Sequence, residues 1–195
     1  MRHVVLASRN AHKVEELRRI LAPLLAIELA GYDGPDVAET GATFAENAFI
    51  KARAAAAATG LPAVADDSGL AVDALHGMPG VLSARWAGRH GDDQSNLALV
   101  LAQIEDLPDQ RRGAAFVCAA VAVVPDKGEC VVEGRVDGTL TRAPRGTGGF
   151  GYDPIFVPNG ATRTTAELPP EEKDAISHRG RAFRALAPLL ADLLG

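Results

Sequence analysis

Cysteine is scarce, positive charge is outweighed, and no apolar run is long; each shortage removes a class of protein. The 195 residues contain two cysteines, Cys118 and Cys130, too few for the disulfide framework of a small secreted domain. They stand on neighbouring strand candidates and could face each other across a hairpin. The opening residues, however, carry too short an apolar stretch for a signal peptide. Reduced thiols and a cytoplasmic location are therefore expected. Acidic residues number 25 against 20 Lys and Arg, giving a net charge of −5, so no basic field draws the chain to nucleic acid. The apolar run ending at Val124 falls well short of the ~20 residues that a membrane span needs. The histidines, at positions 3, 12, 76, 90 and 178, never recur at zinc-ligand spacing. Repeats, heptads and low-complexity linkers are absent as well.

What is present is ordinary globular material, 47% apolar and 23% charged, in a length that suits one domain over residues 1–195. Strand and helix signals alternate at first. An apolar run at 3–7 leads into the polar stretch Ser8-Arg9-Asn10, and a helix from Ala11 is indicated by Val14, Leu17, Leu21 and Leu24. A second strand is expected at 27–30. Thr43-Phe44-Ala45-Glu46 is a capping box, opening an alanine-rich helix that ends at Gly60 before Pro62. A brief strand at 63–66 and a helix at 92–104 follow. The second half is strand-rich: 114–124 and 129–136 flank the turn Pro125-Asp126-Lys127-Gly128, with further strands at 139–142 and 155–157. Helices at 171–176 and 182–194 close the chain, the latter bent or interrupted by Pro188. The expected fold class is α/β, a mixed β-sheet flanked by helices.

Polar clusters stand at the ends of these elements. The first, Ser8-Arg9-Asn10-Ala11-His12-Lys13, precedes a helix, where backbone N–H groups and a lysine can cradle phosphate, although the Walker pattern is missing. The second is Ala65-Asp66-Asp67-Ser68-Gly69. Adjacent carboxylates repel and need a compensating partner, such as a divalent cation shared with a substrate's phosphates, or else they cap their own turn. Glu39 could add a ligand. The third, Gly146-Thr147-Gly148-Gly149-Phe150-Gly151-Tyr152-Asp153-Pro154, packs a ring, a phenol and a carboxylate among glycines that let the backbone approach a flat polar ligand. Its literal match to a dinucleotide fingerprint is set aside, because a turn into a strand follows instead of a helix. The fourth is Lys173 followed by Ser177-His178-Arg179-Gly180, expected between two helical stretches, with donors for a carbonyl or phosphate.

In this order the clusters resemble the non-standard purine nucleoside triphosphate pyrophosphatases, the family of inosine triphosphate pyrophosphatase. The likeness extends through Glu39-Thr40-Gly41, Thr43-Phe44-Ala45-Glu46-Asn47-Ala48, Ala65-Asp66-Asp67-Ser68-Gly69-Leu70, Pro79-Gly80-Val81 and Ser83-Ala84-Arg85 to the glycine loop and to Glu172-Lys173 with Ser177-His178-Arg179. The resemblance implies a two-lobed homodimer with the nucleotide in a cleft between lobes. It also implies Mg²⁺ on the phosphates, and hydrolysis of dITP, ITP and XTP to monophosphate and pyrophosphate. Carried over, Ser8, Arg9, Asn10, Ala11, His12 and Lys13 would line the triphosphate. Asp67 would be general base and metal ligand, with Glu39 or Asp66 completing the metal site. Ser68 would touch substrate; Phe150, Gly151, Tyr152 and Asp153 would hold the base; Lys173, His178 and Arg179 would complete the pocket. Two departures stand out: Arg9 replaces a common glycine, and Ala38 stands before Glu39 where many members have paired glutamates. A regulator that binds without turnover would lack a carboxylate or lysine, yet Asp66, Asp67, Lys13 and Lys173 are all present. Against a phosphohydrolase of another substrate, such as a sugar phosphate, the segment from Phe150 to Asp153 argues for a planar base, and an assay decides between the two.

Overall fold

A computed structural model describes residues 2–8, 11–35 and 37–195, without the side chains of Ala11 and His12. The regular elements, in order, are β1 (Arg2–Leu6), α1 (Ala11–Leu21), β2 (Ile27–Gly31), α2 (Phe44–Thr59), β3 (Ala63–Val72), α3 (Asp93–Gln103), β4 (Gly113–Val124), β5 (Gly128–Leu140), β6 (Phe156–Pro158), α4 (Pro170–Ile176) and α5 (His178–Leu194). The strands form one six-stranded mixed sheet in the order β2-β1-β3-β4-β5-β6. β1 pairs in parallel with β2 and β3, whereas β5 and β6 are antiparallel. No described helix is long and apolar enough to cross a membrane.

Two compact units share this chain. The first comprises Met1–Asp67, Cys118–Gly134 and His178–Gly195. β1 from Val4 onward and β4 are buried on both faces, which is why they read as unbroken apolar runs. Because strand side chains alternate in direction, Val4 and Leu6 join Val64, Cys118 and Ala120 beneath α1 and α5, which contribute Leu17, Leu21, Phe183, Leu186 and Leu190. Val5 and Ala7 join Ala63, Ala65 and Val121 beneath α2, whose buried contribution is Ala48, Ala52, Ala55 and Ala56, with Phe49 half-buried against them. Those short side chains bring that helix close to the sheet. Gly134 does the same for α5: a Cβ there would collide with the backbone of His178 and Ala182.

The second unit comprises Ser68–Val117 and Arg135–Ser177. Its core gathers Leu70, Val72, Leu97, Val100, Ile104, Phe116, Val136, Leu140, Tyr152, Ile155 and Phe156, with the Phe116 and Phe156 rings 4.6 Å apart. Buried Arg112 closes the end of α3 by donating to the carbonyls of Ile104, Leu140 and Thr141, which would otherwise be orphaned.

The helix expectations for α2 and α3 hold, including the Thr43 cap and the left-handed Gly60 at φ 69°, and α1 begins at Ala11 as expected but ends at Leu21, short of Leu24. In the capping box, Glu46 reaches back to the N–H of Ala42. Four expectations are corrected. β3 runs six residues past Asp66, to Val72. The strands expected at 129–136 and 139–142 are one 13-residue strand, because the buried alternation Gly134, Val136, Gly138, Leu140 never breaks. The last helix begins at His178 and continues through Pro188, carried by buried Leu186, Ala187 and Leu190 on one side. Cys118 and Cys130 are free, as expected, but Cys130 lies against the backbone of Ala122, not opposite Cys118.

Candidate functional site

β1 ends at Leu6, opposite Val64, and β3 runs past that end with Ala65, Asp66 and Asp67. The strand order turns back between β1 and β3, and open α/β sheets place ligands at the carboxyl ends of the strands flanking such a reversal. The period of two then decides which way each carboxylate points. Asp66 turns toward α1 and α5: Lys13 Nζ stands 3.1 Å from its Oδ2, and Arg179 Nε donates to the same oxygen at 3.1 Å. Asp67 turns toward α2: Asn47 Nδ2 donates to Oδ2 at 3.1 Å, and Lys51 Nζ is 3.6 Å from Oδ1. Lys51 also donates to Glu39 Oε1 at 2.8 Å. The compensating partners among the described residues are side-chain cations, chiefly Lys13 and Arg179 for Asp66 and Lys51 for Asp67.

These surroundings push two neighbouring carboxylates apart in acidity. Burial alone would raise Asp66, but Lys13 and Arg179 overcome it and hold the group far below the ordinary carboxylate range. Burial raises Asp67 as well; there Lys51 and Lys13 do not overcome it, and Glu39 adds to the rise. Lys51 is held charged, Asp67, Asp66 and Glu39 outweighing its desolvation. When environments separate two titratable groups in this way, the pair divides into a fixed charge and a proton acceptor. These surroundings suit Asp66 to a fixed charge and Asp67 to accepting a proton. Arg179 is fully committed on its carboxylate side, since its Nη1 donates to Glu16 Oε2 at 2.6 Å. The Cys118 thiol lies against Asp66 Oδ2 at 4.0 Å, and burial raises its pKa, so it stays neutral.

In the second unit the glycine loop leads into a single turn and then β6, as its sequence suggested. Asp153 holds the loop shut. Its Oδ2 accepts the Phe150 N–H at 2.8 Å and Lys173 Nζ at 2.6 Å, and its Oδ1 accepts the Thr165 hydroxyl at 2.7 Å. Lys173 Nζ lies 5.1 Å from the Phe150 ring centroid, a cation–π distance. Gly149, at φ 70°, is required, because a Cβ would strike the Asp153 carboxylate and meet Lys173 Nζ at 3.0 Å. The Tyr152 hydroxyl donates to the Ser83 carbonyl at 2.9 Å; burial, with Asp93 nearby, raises its pKa.

Of the expected site residues, Lys13, Glu39, Asp67, His178 and Arg179 belong to the first unit, and Ser68, Phe150, Gly151, Tyr152, Asp153 and Lys173 to the second. Ser8 follows β1 and is half-buried. Arg9 and Asn10 lie outside the described residues, as do the side chains of Ala11 and His12. Arg179 is occupied with Asp66 and Glu16, and Asp153 with its own loop. Sequence reasoning missed Asn47, Lys51 and Glu16. For the first two a signal existed: Asn47 and Lys51 stand one helical turn apart in a helix whose other buried residues are all alanine. Glu39 and Asp67 both meet the Lys51 ammonium, so these hard oxygen donors suit a divalent cation. Among the described residues no third His, Cys, Asp or Glu joins them.

Comparison with known proteins identifies the chain's relatives. The family model described as the Ham1 family matches residues 4–189. The chain is 64% identical to a dITP/XTP pyrophosphatase of Streptomyces coelicolor, with all of both chains covered. It is 59% identical to a Mycobacterium abscessus structure titled nucleoside-triphosphatase / dITP/XTP pyrophosphatase, at a TM-score of 0.77 over 96% of this chain and 98% of that one. A HAM1 protein from Coxiella burnetii superposes at a TM-score of 0.88, with 45% identity over 98% of this chain and 100% of the other. With the family model spanning nearly its whole length and relatives this similar, the chain belongs to the Ham1 family.

Proposed function

We propose that this enzyme is an Mg²⁺-dependent nucleoside triphosphate pyrophosphohydrolase that converts dITP, ITP and XTP to the monophosphate and pyrophosphate, clearing deaminated purines from the cytoplasmic nucleotide pool. The observation that carries the mechanism is the divergence of Asp66 and Asp67. Asp67 and Glu39 would hold the metal, with substrate phosphates and water as the remaining ligands. When bound, Mg²⁺ offsets phosphate charge and polarises the phosphoryl oxygens. Asp67 takes the proton of the attacking water; Oδ1 is the suited atom, because Oδ2 already accepts from Asn47. Lys13 and Lys51, partly exposed at the mouth of this cluster, meet the triphosphate's charge together with the N-terminal turn of α1.

Base recognition falls to the glycine loop and His178. Phe150 offers a stacking face, and hypoxanthine and xanthine present a carbonyl beside an N1–H where adenine presents the reverse. A site built on such hydrogen bonds can discriminate by ~10⁴-fold. In this reading Asp153 and Lys173 fix the ring's position, and Arg179 fixes Asp66. The resemblance extends the proposal to a homodimer, which sedimentation would check. Incubation with a panel of nucleoside triphosphates and Mg²⁺, with pyrophosphate and orthophosphate measured separately, tests the function. Pyrophosphate should be the first product from dITP, with dATP turned over far more slowly. Orthophosphate as the first product, or equal rates on dITP and dATP, would refute it.

A further inference from the structure

Three successive residues of the glycine loop are anchored to three different places. The Phe150 N–H is held by Asp153, itself tied to Lys173 of α4. The Tyr152 hydroxyl is held by the carbonyl of Ser83. Between them, the Gly151 N–H donates to Asp93 Oδ2 at 2.8 Å, across a sequence separation of 58 residues. Asp93 lies outside every motif that marked the site in the sequence.

Asp93 is a firm post. It opens α3, whose N-terminal turn is fixed by Asp92 accepting the Ser95 N–H at 3.1 Å. Asn96, 1% exposed, accepts the Ala87 N–H at 2.7 Å and so fastens the same turn to the preceding loop. A carboxylate in a helix's first turn is also favoured by the helix dipole. Gly151 has a positive φ of 62° and carries no side chain, so it can be held only through its backbone, and its N–H is the group that Asp93 meets. If that N–H is released, the peptide joining Phe150 to Gly151 keeps only the longer bond from the Asp153 N–H to the Phe150 carbonyl at 3.3 Å, and the ring loses one of its anchors.

We infer that Asp93 is a positioning residue for base selection: by holding the Gly151 N–H it fixes the plane of Phe150 against which the purine stacks. This rests on the proposed reading of the glycine loop as the base site. Asp93 touches neither substrate nor metal and acts through Gly151. It therefore governs binding and discrimination and leaves the hydrolytic step alone. The carboxylate accepts through one oxygen, so an asparagine, which keeps one acceptor oxygen, should serve in its place.

The test compares wild type, Asp93→Ala and Asp93→Asn, using pyrophosphate release from dITP and dATP and hydrogen exchange of the 146–153 segment. Loss of a hydrogen bond to a charged group predicts that Asp93→Ala raises KM for dITP and lowers the dITP-to-dATP ratio of kcat/KM, each by roughly 10-fold, with kcat for dITP nearly unchanged. Exchange in 146–153 should quicken while that of the strand carrying Asp66 and Asp67 stays as it was, and Asp93→Asn should restore both readouts. Unchanged exchange in that segment overturns the inference, as does an equal loss on both substrates through kcat. A wild-type chain that releases no pyrophosphate from dITP refutes the proposed function itself. In that case quickened exchange in Asp93→Ala would still show the anchor, but the base-selection role would fall.

Discussion

Both units pair aspartate with lysine, and they put the pairing to opposite use. At Asp153 both carboxylate oxygens are engaged and the pair is sealed, with side chains 4% and 11% exposed. One lysine serves one aspartate, and the product is a rigid loop. At Asp67 the lysine is shared between two carboxylates at 2.8 and 3.6 Å, and Glu16 Oε1, in the adjoining Asp66 network, is buried without a partner among the described residues. The lesson concerns satisfaction rather than composition. A network in which every lone pair is met specifies a shape. One in which a cation is shared between two acceptors can exchange it for a substrate's metal and phosphates.

The most damaging way to break this contrast is to strand buried cations. Asp66→Asn leaves Arg179 and Lys13 facing a neutral group in the core, and unfolding in urea should show a loss of about 3–5 kcal/mol. A loss below ~1 kcal/mol would mean that Glu16 alone suffices for Arg179, and that Asp66 is not the fixed charge. Next in size is Asp67→Asn, which keeps shape and the Asn47 contact. Turnover of dITP should fall by roughly 10²-fold or more, with stability nearly unchanged. Turnover close to wild type would remove Asp67 as the base.

Smaller effects sharpen the division of labour. Lys13→Ala should weaken binding of a non-hydrolysable triphosphate by roughly 10-fold relative to inosine, because the lost group meets phosphate. Lys173→Met should do the reverse, weakening inosine and the dITP preference while sparing inorganic pyrophosphate inhibition. Calorimetric titration of both variants with both ligands separates the two. Identical profiles would dissolve the distinction between an exchangeable cluster and a closed clamp.

Most of the fold was legible because its signals are local. Apolar runs gave the doubly covered strands, Thr43 and Gly60 gave the ends of α2, and the residues after the glycine loop ruled out a Rossmann turn. Strand lengths were not legible where the pattern depended on neighbours: β3 continues beyond Asp66 because Leu70 and Val72 have a second core to enter. The site's residue types were visible as four clusters, but their pairing was not. Nothing in the string Asp66-Asp67 states that the two point to opposite faces until the strand is known to extend through both. Arg179 looked like a donor for a base because its burial against Asp66 and Glu16 involves partners 113 and 163 residues away in sequence. Asp93 gave no signal, since its partner is a glycine N–H.

The smallest predicted effect follows from the acidity of the two aspartates, and it separates them by sign. Without ligand, Asp67 has a pKa raised by burial against the pull of Lys51. The folded state therefore keeps a proton at pH values where the unfolded chain, with a carboxyl near 3.9, has released it. Across that window the folded state binds more protons, so Asp67's contribution to stability improves as pH falls from neutral through its folded pKa and is complete below the unfolded value. Asp66 runs the other way. Its folded pKa lies far below the unfolded one, so its contribution is full above the unfolded value and is lost only as pH falls below it. Asp67→Asn removes the first dependence and leaves the second. The stability of wild type minus that of the variant should then rise on acidification from about pH 7 to about pH 4, with a slope no steeper than ~1.4 kcal/mol per pH unit. Urea unfolding of metal-free protein across that range measures it. Saturating Mg²⁺ should flatten the wild-type rise, because a bound cation favours the ionised carboxylate. Parallel curves for the two proteins without metal would mean that Asp67 ionises as freely in the fold as out of it, and the opposed acidities of the two neighbouring carboxylates would no longer distinguish base from counter-ion.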